Sequence, residues 1–322
     1  MKLVVLDGYA LNPGDLSWKE FEKLGDLKVY ARTSYTDESE ILERIGNAEI
    51  IFTNKTPISR QIIEKAPSLK YIGVLATGYN VIDVEAANEN GVTVTNIPAY
   101  GTEAVAQATF ALLLEITNQV GLHNRAVHEN EWQRSPDFTF WKTPLIELAG
   151  KTFGLIGFGR IAQATAQIAH AMGMKVIFYN HRPKKVDIDW VKQVTLDNLL
   201  MQADVISLHI PQTRSTSGFI DQKKISKMKD GVILLNTARG GLLNEKEVAA
   251  ALNSGKISAV GVDVVSSEPI QTDNPLLSAP NCFITPHIAW APVETRQRLL
   301  KICLDNITAF LAGNTKNAVN HQ

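Results

Sequence analysis

Three short segments of this 322-residue chain carry side chains that could move a hydride and a proton. They are Asn236-Thr237-Ala238-Arg239-Gly240-Gly241, Asp263-Val264-Val265-Ser266-Ser267-Glu268-Pro269 and Thr285-Pro286-His287-Ile288-Ala289. Reducing a 2-oxo acid by hydride transfer needs a cation to hold the carboxylate and polarise the ketone, and an acid to protonate the nascent alkoxide. Arg239 and His287 are the right types. A carboxylate beside an imidazole favours the charged ring, and Glu268 can supply it.

A fourth segment could hold the hydride source. Gly157-Phe158-Gly159-Arg160-Ile161-Ala162 follows the apolar run 153–156 and opens a helix-period segment, the strand-loop-helix setting that gives a Gly-x-Gly pattern its meaning. Gly157 permits the tight turn, and Gly159 lets backbone approach a pyrophosphate. Arg160 and Ile161, where the following helix begins, then present amide donors and partial positive charge to phosphate oxygens. Loops for NAD normally meet an Asp or Glu about 20 residues further on. Here that place holds Asn180-His181-Arg182, and none of the chain's 33 acids falls between Lys151 and Val186, where Arg182, Lys184 and Lys185 do. A neutral Asn180 does not repel a 2′-phosphate and Arg182 can clamp one, so the pattern favours NADP(H) over NAD(H). Use of both cofactors follows instead if the three cations are a solvated turn.

The elements that must position these groups read as α/β, since short apolar β-branched runs alternate with helix-period segments. Strands are expected over 2–6, 28–30, 49–53, 71–75 and 93–96, with helices over 17–25, 38–45, 59–66 and 83–90 between them. From residue 150 the alternation restarts, with strands over 152–156, 175–179, 204–209, 232–236, 259–264 and 282–285 and helices over 161–172, 196–202, 222–228 and 245–253. No Pro interrupts 102–127, which reads as one long connecting helix, and a last helix over 292–312 ends at Gly313, a C-cap residue type. The expectation is two doubly wound parallel-sheet domains, with residues 99–289 inserted between 1–98 and 290–322.

The length agrees with two domains, because single cores seldom grow past about 250 to 300 residues. With 45% hydrophobic and 20% charged residues, disorder and collagen-like structure are excluded. Lys plus Arg number 32 against 33 acids, so the net charge of -1 gives no global attraction to nucleic acid or anionic membrane. Cys282 and Cys303 lack zinc-ligand spacing and read as buried apolar residues. His123, His128, His170, His181 and His321 show no metal spacing either, so no metal is expected. The amino terminus is too short in apolar residues for a signal segment and no run approaches 18 apolar residues, which makes a cytoplasmic setting the expectation.

Together these segments resemble the D-isomer-specific 2-hydroxyacid dehydrogenase family over essentially the whole chain. The resemblance rests on the glycine loop, the segment around Arg239, Asp263 with Glu268-Pro269, and Pro286-His287. Within the family the chain is most similar to the glycerate dehydrogenase, or hydroxypyruvate reductase, group, through Leu6-Asp7-Gly8-Tyr9, Leu75-Ala76-Thr77-Gly78-Tyr79-Asn80 and Asn96-Ile97-Pro98-Ala99-Tyr100. It implies a Rossmann cofactor domain inserted in a smaller flavodoxin-like substrate domain, closing about 97–98 and 289–292, and a homodimer. Arg239 is then expected to bind the oxo acid, His287 to be the acid/base, Glu268 to orient it, and Asp263 to lie near the nicotinamide amide. Ala76, Thr77 and Gly78 are expected to hold the substrate carboxylate, and His209, Pro211, Thr237, Ala238 and Ala289 to line the cofactor site. The implied reaction is hydroxypyruvate to D-glycerate, and glyoxylate to glycolate, with NAD(P)H. A bulkier oxo acid such as phenylpyruvate, or a dinucleotide-sensing role like that of the family's corepressor relatives, are the alternatives.

Departures from the family pattern narrow this. Gln107 stands where members commonly carry an acid, and Val74 stands where 3-phosphoglycerate dehydrogenases commonly begin the substrate loop with Arg, so a substrate phosphate would be poorly neutralised. With Gln322 as the last residue, the regulatory domain many of those enzymes append is not expected. Relatives that oxidise formate place Gln where this chain has Glu268. The cluster Phe138-Thr139-Phe140-Trp141 reads as packing, though the family dimerises through this region and Trp141 could then reach a partner's active site.

Overall fold

Strands β1 (Lys2–Val5), β2 (Asp26–Val29), β3 (Ile50–Thr53), β4 (Tyr71–Val74) and β5 (Thr93–Thr95) pair in the order β2-β1-β3-β4-β5, every pair parallel. The structure, a computed structural model, describes residues 1–320. This is the flavodoxin-like strand order. β3, β4 and β5 are buried along their whole length, as parallel strands covered on both faces must be. Edge strand β2 is largely exposed and begins two residues before the apolar signal at 28–30. Its Asp26 and Lys28 face water at a sheet edge, so no buried run marks its start.

The second sheet contains β6 (Thr152–Ile156), β7 (Lys175–Tyr179), β8 (Val191–Gln193), β9 (Val205–Leu208), β10 (Val232–Asn236), β11 (Ile257–Val262) and β12 (Cys282–Ile284). Its order, β12-β11-β10-β9-β6-β7-β8, is the Rossmann arrangement with one further strand. Alternate residues feed two cores. In β10, Val232 and Leu234 join one apolar cluster and Ile233 and Leu235 the other. The sheets belong to two units, Met1–Tyr100 with the segment from Ala291, and Gly101–Trp290.

Side-chain caps set most helix starts. Asp37, Ser59 and Asp83 in the first unit, and Thr195, Asp221 and Asn244 in the second, each accept a backbone N–H from the first turn they precede.

Three expectations need correction. The connecting helix is not continuous: it runs Thr102–Asn118, turns at Gln119 in the left-handed region (φ 45°), and restarts as Val120–His128. The Thr117 carbonyl accepts the Ile146 N–H (3.1 Å), while the Gly121 N–H goes to the Glu115 carboxylate (3.4 Å). The bond that would continue the helix there is therefore replaced from both sides. β8 was not expected, because Val191, Lys192 and Gln193 form a three-residue edge strand without an apolar run. β11 starts and ends two residues before 259–264; past Val262, the Asp263 N–H still reaches the Asn236 carbonyl (3.0 Å), but its own carbonyl and carboxylate serve another loop, described next.

Candidate active site

Strand register places the chemistry. Tyr179, Ile156, Leu208, Asn236, Val262 and Ile284, near or at the ends of β7, β6, β9, β10, β11 and β12, are level across the sheet. All six strands are parallel, so the loops that follow them open on one carboxyl edge, where doubly wound sheets bind ligands. That edge therefore gathers every site residue expected in the second unit.

At the β6–β7 end the glycine loop has the shape of a phosphate cradle. Gly157 sits at φ 93°, and a Cβ there would fall 2.5 Å from the His209 carbonyl oxygen, so only glycine fits. At Gly159 a Cβ would meet nothing within 4 Å, which leaves the backbone open to approach. The helix Arg160–Ala171 begins at Gly159 without a capping side chain, unlike the three capped helices of this unit, so its first amides, those of Arg160 and Ile161 among them, remain for a ligand. These features fit the pyrophosphate of a dinucleotide. The Asn180 side-chain oxygen accepts the Phe158 N–H (3.1 Å), fixing the loop with a neutral group. His181 and Arg182 are exposed beside it.

His209 follows β9, its Nε2 2.9 Å from the Ser207 hydroxyl, and burial pushes its imidazole down to about 3. The carbonyl of Pro211 accepts the Thr216 hydroxyl (2.7 Å). Thr237 is buried with its hydroxyl 2.9 Å from that of Thr109.

The β10–β12 end carries the charged groups. His287 Nδ1 lies 2.7 Å from Glu268 Oε2, both side chains partly exposed. Asp263, only 2% exposed, holds the loop that bears this histidine. Its backbone oxygen accepts the His287 N–H (2.8 Å), Oδ1 accepts the Thr285 hydroxyl (2.6 Å) and the Ile288 N–H (2.8 Å), and Oδ2 accepts the Ala289 N–H (2.8 Å). So held, His287 adopts φ 55°, which costs an L-residue about 1 kcal/mol or more unless its surroundings enforce it. Arg239 is exposed at the end of a turn pinned by Asn236, whose side chain accepts the Ala238 N–H (3.0 Å) and donates to the Arg239 carbonyl (2.9 Å). Gly240 follows because a Cβ would lie 1.9 Å from the Val265 carbonyl carbon. That close approach ties the Arg239 turn to the loop of Glu268.

In the first unit, Ala76, Thr77 and Gly78 follow β4. The Thr77 hydroxyl donates to the Ile97 carbonyl (2.7 Å), and Asn96 donates to the Thr77 carbonyl (2.7 Å). On the same sheet edge the buried Asp7 carboxylate accepts the N–H groups of Asn54, Lys55 and Thr56 at 2.7, 2.6 and 2.9 Å.

Several supporting residues were not singled out from the sequence: Asn236, Gln193 and Glu245, the last accepting from Ser266 and Asn274 beside the Glu268 loop. A polar residue closing an apolar strand was the available signal for Asn236. The aromatic cluster is a correction. Phe138 is 89% and Trp141 65% exposed, so neither packs within this chain. Among the described residues no cluster of His, Cys, Asp or Glu is placed to hold a metal ion, and no helix is long and apolar enough to cross a membrane. His321 lies outside the described residues. Cys303 is buried and Cys282 partly so, and burial raises both thiols.

The sequence model of the D-isomer specific 2-hydroxyacid dehydrogenase NAD-binding domain matches residues 110–289, which include the glycine loop and all three charged segments. The chain belongs to the D-isomer-specific 2-hydroxyacid dehydrogenase family. It is an oxidoreductase of CH–OH donors with a nicotinamide-dinucleotide domain. A hydroxypyruvate reductase of Blautia hydrogenotrophica is 55% identical, the match covering 99% of this chain and 100% of that one. A glycerate dehydrogenase of Methylorubrum extorquens is 38% identical over 99% of this chain and 98% of its own. Among solved structures, an acyclic imino acid reductase in complex with NADPH and D-arginine superposes with a TM-score of 0.83 at 31% identity, the match covering 99% of this chain and 100% of that one.

Proposed function

We propose that this dehydrogenase reduces hydroxypyruvate to D-glycerate, and glyoxylate to glycolate, with NADPH preferred to NADH. The observation that carries the chemistry is the 2.7 Å contact between His287 Nδ1 and Glu268 on a loop fixed by Asp263. The substrate class follows the hydroxypyruvate reductase and glycerate dehydrogenase relatives, and the cofactor preference follows Asn180 and the cations after it.

When bound, the cofactor supplies the hydride that reduces the carbonyl carbon. His287 donates the proton to the oxygen of that carbonyl from Nε2, the ring nitrogen that Glu268 does not engage. Glu268 accepts from Nδ1, which fixes the tautomer and balances the positive ring before transfer. Arg239 pairs with the oxo-acid carboxylate and polarises the ketone. In the first unit, the backbone amides of Ala76, Thr77 and Gly78 are donors of the type that binds a substrate carboxylate. Gly157, Gly159, Arg160 and Ile161 bind the pyrophosphate, and Asn180, His181 and Arg182 the adenosine end. His209, Pro211, Thr237, Ala238 and Ala289 line the remainder of the cofactor, beside Asp263. The exposed Phe138 and Trp141 support a homodimer, in which such apolar surface is covered.

Initial rates with hydroxypyruvate, glyoxylate, pyruvate and phenylpyruvate, each with NADH and NADPH, test the reading. Hydroxypyruvate with NADPH should give the highest kcat/KM. Faster turnover of phenylpyruvate overturns the substrate, and a higher kcat/KM with NADH overturns the cofactor. Light scattering on the eluting protein tests the dimer, and a monomer mass at assay concentration removes it.

A further inference from the structure

The turn after β7 is held by a residue on the neighbouring edge strand. Gln193, the last residue of β8, pairs in register with Phe178 of β7. Its side-chain oxygen accepts the Lys184 N–H (2.9 Å), and its side-chain nitrogen donates to the Arg182 carbonyl (3.3 Å). One amide thus bridges both sides of Pro183, which has no N–H of its own to anchor the turn. The Lys184 ammonium reaches back to the glycine loop, 2.5 Å from the Phe158 carbonyl oxygen and 5.9 Å from the centre of its ring. Phe158 is itself fixed, stacked on Phe178 at 4.0 Å. Beside the turn, Asn180, His181, Pro183, Lys192 and Gln193 border a cavity of about 610 Å³.

We propose that Lys184 is a second phosphate-binding cation beside Arg182, and that Gln193 is the positioning residue that presents both to an adenosine 2′-phosphate. The inference rests on the NADP(H) preference proposed above. A carbonyl is a weak partner for an ammonium, and a phosphate dianion replaces it with a stronger, charge-assisted bond. Long cationic side chains on an exposed turn lose affinity through the entropy of ordering them. The Gln193 clip removes part of that loss by fixing the backbone from which both emerge. Neither residue bears on a ligand that lacks the 2′-phosphate.

Calorimetric titration with adenosine 2′,5′-bisphosphate and with 5′-AMP tests this without turnover. The wild-type chain should bind the bisphosphate more tightly. Lys184→Met and Gln193→Met should each reduce the ratio of the two affinities about tenfold, the loss expected for one charge-assisted contact. In a double-mutant cycle, Gln193→Met should cost less once Lys184 is already Met, as coupled residues require. Partial unfolding weakens both ligands and leaves their ratio unchanged. Equal affinities in the wild type overturn the NADP(H) reading itself. A wild-type preference that survives both substitutions, or additive losses in the cycle, overturns the role of Gln193 and leaves the cofactor reading standing.

Discussion

The two ends of the second sheet's carboxyl edge are built by opposite means. At the β10–β12 end, a carboxylate buried to 2% exposure ties down the loop of His287 through three side-chain bonds, and a glycine contact locks the Arg239 turn to the Glu268 loop. At the β6–β8 end, the cations stand on an exposed turn with no carboxylate, held by the side chains of Gln193 and Asn180. The difference matches the function proposed for each end. Proton transfer and carbonyl polarisation depend on geometry within fractions of an ångström, so they justify buried, fully bonded support. Binding a phosphate depends on charge first, and a clipped surface turn supplies it.

Breaking the rigid end should have the larger effects. His287→Gln should lower kcat about 10³-fold, near the middle of the range for losing a general acid, with cofactor binding measured by fluorescence titration little changed. Turnover at the wild-type rate would remove His287 from the mechanism. Arg239→Lys keeps the charge but loses the two-pronged grip, and should raise KM for hydroxypyruvate about 10- to 100-fold. If only the cofactor KM moved, Arg239 would belong to the other end of the edge.

Asp263→Asn sharpens the comparison, because it alters support without touching a proposed reacting group. The amide keeps one acceptor oxygen where the two carboxylate oxygens accept from three donors, so at least one buried donor is left unpaired, at about 1–3 kcal/mol. Thermal melting should show the loss in stability. Steady-state assays should show kcat falling more than KM rises, since His287 leaves its held geometry. A lower Tm with an unchanged kcat would mean that the loop finds its position without Asp263. At the other end, Arg182→Ala should weaken NADPH about tenfold and NADH far less, a shift read from the two cofactor KM values. An equal loss for both would place Arg182 on the part of the dinucleotide they share.

The sheet architecture was legible because buried parallel strands write themselves as continuous apolar runs; β6, β7 and β10 fall where those runs do. β8 was not, because a short half-buried edge strand has no such run, and the break at Gln119 depends on Ile146, distant in sequence. The same division applies to the site. Arg239, Glu268 and His287 announce themselves by type, and the glycine loop by spacing. Asn236, Gln193 and Glu245 act through bonds to backbone or to other side chains whose partners are fixed only by the fold. For Asp263 the resemblance implies a place near the nicotinamide, while its hold on the His287 loop through both carboxylate oxygens is legible only in the fold.

The smallest expected effect lies between the two ends, at His209 after β9. Burial pushes its imidazole from the ordinary 6.5 down to about 3, so the folded chain holds the ring neutral across the physiological range. An unfolded chain takes up a proton as pH falls through 6.5, and the folded one does not until near 3. The stability contributed by the neutral ring is therefore complete above 6.5 and is lost progressively between 6.5 and 3. Because the ring is only partly covered, the loss by about pH 5 should be on the order of 1 kcal/mol. Denaturant unfolding of the wild type and of His209→Gln at neutral pH and near pH 5 measures it. The variant starts less stable, having lost the contact with Ser207, but should lose less on acidification. Parallel losses in the two proteins would assign the acid sensitivity to groups other than His209.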